Sequence, residues 1–263
     1  MMMSWYRIYA LILRHSYPLR RDFDLLNEML YWPIIDTITW GFTSVWMTQN
    51  QNDTRAVVFG ILFALVLWNI IWRSQSEVSR NLMDEVWNAN LVNLFSTPIK
   101  ISEWVISVLI QSVVKMCITS GAVIGTIFLL YTLNMFTLGW WVLPFFLNAM
   151  ISGWSIGFVS AGIVMRFGPK VQSIIWSLPG IFFPLCAVYF PLAQLPEQVQ
   201  RVSALLPPTY IFETMRSLVY TGTTPKYFMF ICAVLNICYI FLAIWFFVRS
   251  FAYSKKRNLA RFN

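Results

Sequence analysis

Long apolar stretches without any charged side chain dominate this chain. Residues 116–165 contain no Asp, Glu, Lys or Arg in 50 positions, and residues 171–196 contain none in 26. A charge at the centre of a bilayer costs about 2.5–3.5 kcal/mol on insertion scales, so such stretches are typical of helices that lie in lipid. Because a hydrocarbon core of about 30 Å takes roughly 20 helical residues to cross, we predict an all-α polytopic membrane protein. The six predicted transmembrane helices cover residues 29–48, 55–72, 108–132, 140–165, 171–192 and 227–249.

Two amphipathic segments lie outside the predicted spans. In residues 4–20, apolar side chains share one face of a helix and Arg7 and Arg14 lie opposite them. This pattern indicates an N-terminal helix in the plane of the membrane interface. Residues 193–226 contain two helical runs of apolar side chains that Pro207–Pro208 divides. They are too short to cross and too apolar for a hydrated loop, so they predict an outer interfacial or re-entrant helical hairpin.

A third amphipathic segment, residues 77–97, connects the second and third predicted spans on the inner side. Over 77–88 one half of the helical wheel is apolar and the other half is polar and acidic. After residues 88–90 the apolar positions move to a different angle, so one straight helix cannot bury both sets. We therefore predict a bent cytoplasmic elbow whose second helix ends before Pro98, since the residue before a proline avoids helical geometry.

The distribution of lysine and arginine predicts the orientation. With both termini on the inner side, fourteen of the nineteen cations are inside and Lys115 lies within a span. This asymmetry is typical of a multi-pass protein of the cytoplasmic (inner) membrane with cytoplasmic termini. The cations lie at predicted membrane edges rather than on one face, so the net charge of +8 does not indicate a nucleic-acid partner. The four outer cations are Arg55, Arg201, Arg216 and Lys226.

Composition supports the membrane prediction and limits the chemistry. The chain is 58% apolar and 11% charged, with a mean hydropathy of +0.63, outside the range of ordinary soluble domains. A single histidine, His15, excludes a metal site built from several histidines, and we expect no catalytic residues. No Gly-x-x-x-x-Gly-Lys-Ser/Thr loop occurs, so any ATP hydrolysis is expected in a separate subunit that holds ATP and Mg²⁺.

A few polar residues within or near the spans are candidates for function. Asp36 is an acidic residue within a predicted span, and such a carboxylate is a functional candidate, although its position near the inner end leaves contact with water open. Lys115 is expected to extend its side chain to the cytoplasmic headgroups. Glu213 and Arg216 are three apart on a predicted helix and are expected to pair.

Small and aromatic residues leave two interpretations each. Gly153, Gly157 and Ala161 are four apart, as are Gly121 and Gly125, which favours close helix packing within one subunit over a dimer interface. The thirteen tryptophans indicate an interfacial aromatic belt by default. Aromatic rings also stack on sugars and amphipathic drugs, and the sequence does not separate these uses.

The order of these segments resembles the permease subunit of a type-2 ATP-binding-cassette exporter over essentially the whole chain, as one transmembrane domain spanning residues 1–263. The elbow sequence EVWNANLVNLFSTP at residues 85–98, followed by Glu103, carries part of this similarity. The hairpin sequence LPPTYIFETMR at residues 206–216, followed by Gly222, carries the rest.

This resemblance implies that the elbow is a coupling helix that docks on a separate ATPase subunit, and that a second permease chain completes a homo- or heterodimer. Spans one, two and five would then form the substrate path at the dimer interface, and the outer hairpin would line the exit gate. The implied ATPase contacts are Asp84, Glu85, Trp87, Asn90, Leu94 and Phe95. The candidate path or gate residues are Asp36, Tyr210, Glu213 and Arg216, and Asp36 is a candidate either for the path or for pairing across the dimer.

The expected function is ATP-driven export of an amphipathic, lipid-linked or glycan substrate, or of a drug, and not catalysis. An ATP-independent carrier or channel is the main alternative, although no inverted repeat is evident. A membrane-embedded lipid enzyme would need several clustered acidic or histidine side chains at one depth, and the sequence offers only Asp36 there.

Overall fold

The computed structural model describes residues 4–17, 23–49, 54–88 and 90–256, and within them every regular element is helical, which confirms the all-α prediction. The side chains of Val92, Phe95 and Lys226 are outside this description. The α-helices are α1 (Trp5–Ser16), α2 (Phe23–Leu26), α3 (Trp32–Met47), α4 (Thr54–Trp87), α5 (Leu91–Ser96), α6 (Ile101–Tyr131), α7 (Val142–Phe167), α8 (Ile174–Leu185), α9 (Glu197–Ser203), α10 (Pro207–Thr221) and α11 (Lys226–Lys256).

Four helices in the described ranges are long and apolar enough to cross a membrane: α4, α6, α7 together with the 3₁₀ turns before it, and α11. The other two predicted spans correspond to shorter helices. Span one coincides with α3, which a π-helical turn at Asn27–Tyr31 joins to α2, and span five coincides with α8, which ends at Leu185. Two prolines inside α8, Pro179 and Pro184, remove backbone donors and limit its regular length.

The centre of the fold is α7, which packs between α4 and α11. Close contact with α4 depends on two glycines. A Cβ atom added to Gly153 would collide with the Ile71 carbonyl oxygen, and one added to Gly157 would lie 2.8 Å from the Gln75 carbonyl oxygen. The expected packing within one subunit is therefore confirmed for this pair. It is wrong for Gly121 and Gly125, where an added Cβ would meet nothing within 4 Å.

The predicted elbow does not begin in a loop. Residues 77–87 continue α4 without a break, giving one helix of 34 residues, or about 51 Å at 1.5 Å per residue. The apolar side chains of this stretch join a buried cluster with α6 and α7, and it contains no proline or glycine that would interrupt the helix. The bend follows, and α5 ends before Pro98, as predicted.

Helix α1 packs along α6 and buries Ile8 and Leu11, while Trp5, Tyr6 and Tyr9 remain exposed. It is amphipathic as predicted and ends at Ser16. The predicted helix extended to residue 20, and residues 18–20 lie outside the described ranges.

The hairpin of residues 193–226 consists of two helices, α9 and α10, as predicted. Pro207 and Pro208 occupy the first turn of α10, where proline costs no helical hydrogen bond. Gly222 ends α10 in the left-handed region with φ 67°, which glycine adopts without strain. Helix α10 packs on α11, α4 and α7, so the hairpin is attached to the helical core rather than suspended from it.

Candidate functional site

A cavity of about 640 Å³ lies between α3, α4 and α8, the three helices that coincide with predicted spans one, two and five. We call it the aromatic cavity. Five of the thirteen tryptophans line it. They are Trp32 and Trp40 from α3, Trp68 and Trp72 from α4, and Trp176 from α8.

Rings from the end of α8 and the segment after it close one side of this cavity. Phe183 contacts Trp68 edge to face at a centroid separation of 4.9 Å, and Tyr189 lies 4.8 Å from Trp40. Phe183 and Tyr189 also contact each other at 5.2 Å. Such pairs hold their partners in defined orientations, so the cavity wall is built of rings supported by other rings.

Helical periodicity explains why these side chains converge. Residues four apart lie on one face of a helix, and Glu28, Trp32, Asp36 and Trp40 follow that spacing. The lining positions on α4 are three and four apart in the same way: Leu65, Trp68, Asn69, Trp72 and Arg73.

Asp36 lies on the wall of the aromatic cavity, and within the described ranges its carboxylate has no hydrogen bond and no ion pair. Two neutral polar side chains of the cavity already donate hydrogen bonds. The Asn69 amide donates to the Leu65 carbonyl oxygen at 3.1 Å, and the Thr119 hydroxyl donates to the Met29 carbonyl oxygen at 3.1 Å. The cavity thus combines aromatic walls with one carboxylate that the described chain leaves without a counter-charge.

Five charged residues form a second site next to the aromatic cavity, which we call the charged cluster. Glu77 accepts from Lys115 at 2.6 Å and from Arg73 at 3.2 Å. Glu28 pairs with Arg80 and lies 3.8 Å from Arg73. The cluster therefore joins three cations to two carboxylates across α4, α6 and the π-helical turn before α3.

The position of Lys115 differs from the prediction. Its side chain does not extend to a membrane surface, since it is 5% exposed and bound to Glu77, which is 0% exposed. A buried ammonium group is stable only with a partner. The helical pattern of residues 77–88 places Glu77 on a polar face, but it does not show that this face packs against α6.

The predicted ATPase-contacting residues separate into exposed and buried groups. Asp84 is exposed and the Trp87 side chain is 52% exposed. The Trp87 indole N–H donates to the Gln172 side-chain oxygen at 3.0 Å. Glu85 and Leu94 are buried, at 4% and 3% exposed. Asn90 is half-buried, and Phe95 lies on α5 with its side chain outside the described part of the structure.

Glu85 connects the elbow to α1. Its carboxylate accepts from Arg14 at 2.8 Å and from the Asn90 amide at 2.8 Å, and His15 Nε2 lies 3.4 Å away. Glu85 therefore acts in the described structure as an internal link between α1, α4 and the start of α5, rather than as a surface contact.

Glu103 forms a similar link at the start of α6. Its carboxylate accepts from the Ser4 and Lys100 backbone N–H groups at 2.9 and 3.0 Å and lies 3.4 Å from Arg7. Arg7 also donates to the Pro98 carbonyl oxygen at 2.5 Å. Sequence reasoning identified Glu103 only as part of the resemblance, because its partners on α1 lie almost one hundred positions away.

In the hairpin of residues 193–226 the predicted pair of Glu213 and Arg216 is confirmed at 2.7 Å. Glu213 also accepts from the Leu192 backbone N–H at 2.8 Å, and Arg216 donates to the Val188 carbonyl oxygen at 3.2 Å. The Tyr210 hydroxyl donates within the hairpin, to the Ala204 carbonyl oxygen at 2.8 Å. The pair thus ties α10 to the segment after α8, whose Tyr189 lines the aromatic cavity.

Sequence comparisons with known proteins assign no family. No family model matches the chain, and no curated protein matches it. The similarity to type-2 ATP-binding-cassette export permeases therefore stays a prediction.

Proposed function

We propose that this chain is the permease subunit of an ATP-driven exporter of the type-2 ATP-binding-cassette class, in the cytoplasmic membrane, with six spans and cytoplasmic termini. Two copies, or this chain and a related one, form the transport path, and separate ATPase subunits bind the elbows. The substrate is an amphipathic, lipid-linked or glycan molecule, or a drug.

The main support for this proposal is that one unbroken helix, α4, contains both residues that line the aromatic cavity and exposed residues that would contact the ATPase. Trp68 and Trp72 on α4 line the aromatic cavity, and Asp84 and Trp87 are exposed at its last turn. A force applied at that last turn moves the cavity wall as well, because a hydrogen-bonded helix transmits displacement along its axis.

The contacts around the elbow support the same role. Glu85 and Glu103 attach α1 to the ends of α4 and α6, so the exposed elbow surface rests on three helices held together by buried carboxylates. An exposed tryptophan beside an acidic side chain on a rigid surface is also typical of residues that contribute strongly to protein–protein binding.

The aromatic cavity between α3, α4 and α8 supports the proposed transport of a substrate. The segment that follows α8 closes the aromatic cavity through Tyr189 and is tied to the outer hairpin through Glu213 and Arg216. Movement of the hairpin is thereby linked to the cavity wall, as an exit gate requires.

The docking surface is tested by charge reversal at Asp84 and truncation of Trp87. Asp84→Lys and Trp87→Ala are each expected to lower co-purification of ATPase subunits by roughly tenfold or more, since a well-packed interface tryptophan contributes about 2 kcal/mol or more. Glu197→Lys and Trp140→Ala make the same changes at exposed positions of α9 and of the turn before α7, and are expected to leave co-purification unchanged.

Sidedness and energy source complete the test. In a background without the four cysteines, Asn88→Cys is expected to react with a membrane-impermeant maleimide in inside-out vesicles and not in intact cells. Reaction from outside would contradict the proposed topology. Transport by the purified chain without any ATPase subunit would instead identify an ATP-independent carrier or channel.

A further inference from the structure

We infer that the aromatic cavity binds a lipophilic organic cation, with the Asp36 carboxylate as its counter-charge and the tryptophan rings as its walls. This inference rests on the proposed export function, because it names the cargo class that the same cavity would accept. It narrows the choice among drug, lipid and glycan substrates to molecules that carry a delocalised or quaternary positive charge.

The shape and lining of the cavity match such a ligand. Ligand cavities commonly have volumes of about 300–1,000 Å³ and are mostly apolar with a few polar groups, and this one has a volume of about 640 Å³. Cations bind to the faces of aromatic rings, and tryptophan is the strongest such partner. Trp32 and Trp40 lie one turn before and one turn after Asp36 on the same face of α3, so the carboxylate is bracketed by indole rings.

The pairing of the charged residues in the cavity also favours a cation as the ligand. Three charged residues line it: Asp36, Glu28 and Arg73. Arg73 is held by Glu77 at 3.2 Å and lies 3.8 Å from Glu28, and Glu28 also pairs with Arg80. Glu28 and Arg73 therefore each have an oppositely charged partner, whereas Asp36 has no hydrogen bond or ion pair in the described ranges.

A glycan fits the same lining less well. Sugar hydroxyl groups need several free donors and acceptors, and the Asn69 and Thr119 side chains already donate to carbonyl oxygens of the chain itself. A sugar would stack on the indoles but leave the Asp36 charge without compensation. A cation satisfies both features at once.

The test compares two probes of equal size and shape and opposite charge. Tetraphenylphosphonium and tetraphenylborate are titrated by equilibrium dialysis onto the full chain in lipid nanodiscs, and binding to empty nanodiscs is subtracted. We expect saturable binding of the cation and at least about tenfold weaker saturable binding of the anion, because the carboxylate attracts one and repels the other.

Variants assign this discrimination to Asp36. Asp36→Asn is expected to weaken cation binding by about tenfold and to remove the preference over the anion, whereas Asp36→Glu retains the preference. Glu197→Gln removes one exposed carboxylate outside the cavity and is expected to leave both affinities unchanged. Trp40→Leu is expected to weaken cation binding, and Trp140→Leu, which alters an exposed indole elsewhere, is not.

Three results would overturn the inference: equal binding of the two probes, cation binding that Asp36→Asn leaves intact, or saturable binding of a neutral oligosaccharide without binding of the cation. The assay contains neither nucleotide nor ATPase subunits. A failure to bind the cation therefore leaves the docking test at Asp84 and Trp87 standing, and a failure of docking leaves the binding test standing.

Discussion

The charged cluster and the aromatic cavity both include residues of α4, but their carboxylates differ in burial and in whether they are paired with a cation. In the cluster, Glu77 is fully buried and bound by both Lys115 and Arg73. In the cavity, Asp36 is exposed on the wall and has no cation among the described residues. The first arrangement holds helices together, whereas the second leaves a charge available for something that the described chain does not contain.

The energetic reason for this difference is the cost of dehydrating a charge. Removing one partner of a buried ion pair typically destabilises a protein by about 3–5 kcal/mol, because the remaining charge has neither water nor a partner. An exposed carboxylate carries no such penalty. Mutations in the two regions are therefore expected to separate stability from ligand binding.

The largest expected effect is on the cluster. Glu77→Gln leaves the buried Lys115 ammonium group without its carboxylate and is expected to lower the free energy of unfolding by about 3–5 kcal/mol. The measurement is reversible unfolding in mixed detergent micelles. Adding Lys115→Met is expected to restore part of the loss, since it removes the uncompensated charge. A single variant as stable as the wild type would show that the buried pair does not hold α4 and α6 together.

A smaller effect on the free energy of unfolding is expected at the contact between α7 and α4, the helix that contributes residues to both regions. Gly153→Ala forces a methyl group against the Ile71 carbonyl oxygen and is expected to cost about 1–3 kcal/mol. The matched change Gly121→Ala meets nothing within 4 Å and is expected to be neutral or to stabilise by up to about 1 kcal/mol through helix propensity. Equal effects at the two glycines in thermal unfolding would contradict the observed packing of α7 on α4.

A third change tests an ion pair that is partly exposed to water, that of Glu85 and Arg14, against the fully buried pair of Glu77 and Lys115. Glu85→Gln removes the charge that binds Arg14, whose side chain is 43% exposed, and is expected to cost about 1–1.5 kcal/mol because water compensates part of the loss. Amide hydrogen exchange in α1 is expected to become roughly tenfold faster. Exchange that rises equally in the hairpin of α9 and α10 would indicate general destabilisation rather than release of α1.

The smallest stability effect is expected in the cavity. Asp36→Asn removes a carboxylate that has no partner and is expected to change the free energy of unfolding by no more than about 0.5 kcal/mol. A loss comparable with that of Glu77→Gln would show that Asp36 pairs with part of this chain or of a second copy. That result would remove the distinction between the two regions.

Features that arise within one helix were predictable, and features that join distant helices were not. The pair of Glu213 and Arg216, three positions apart, followed from helical spacing. The end of α5 before Pro98 and the division of the hairpin at Pro207 followed from the positions of the prolines. The pairing of Lys115 with Glu77 and of Glu85 with Arg14 joins residues 38 and 71 positions apart. Such pairs depend on how neighbouring helices are rotated about their axes, which periodicity within one helix does not specify.

Hydrophobic pattern, proline positions and charge distribution were sufficient to specify an all-helical chain with long apolar helices, an amphipathic first helix, a bent elbow and a divided hairpin. These features follow from local chemistry, because helix formation and its interruption depend on residues a few positions apart. The gathering of five tryptophans around Asp36, and the burial of Glu77 and Glu85, required the packed arrangement of α3, α4, α6 and α8. Close packing of side chains from different helices determines which polar groups find partners and which carboxylate remains without one.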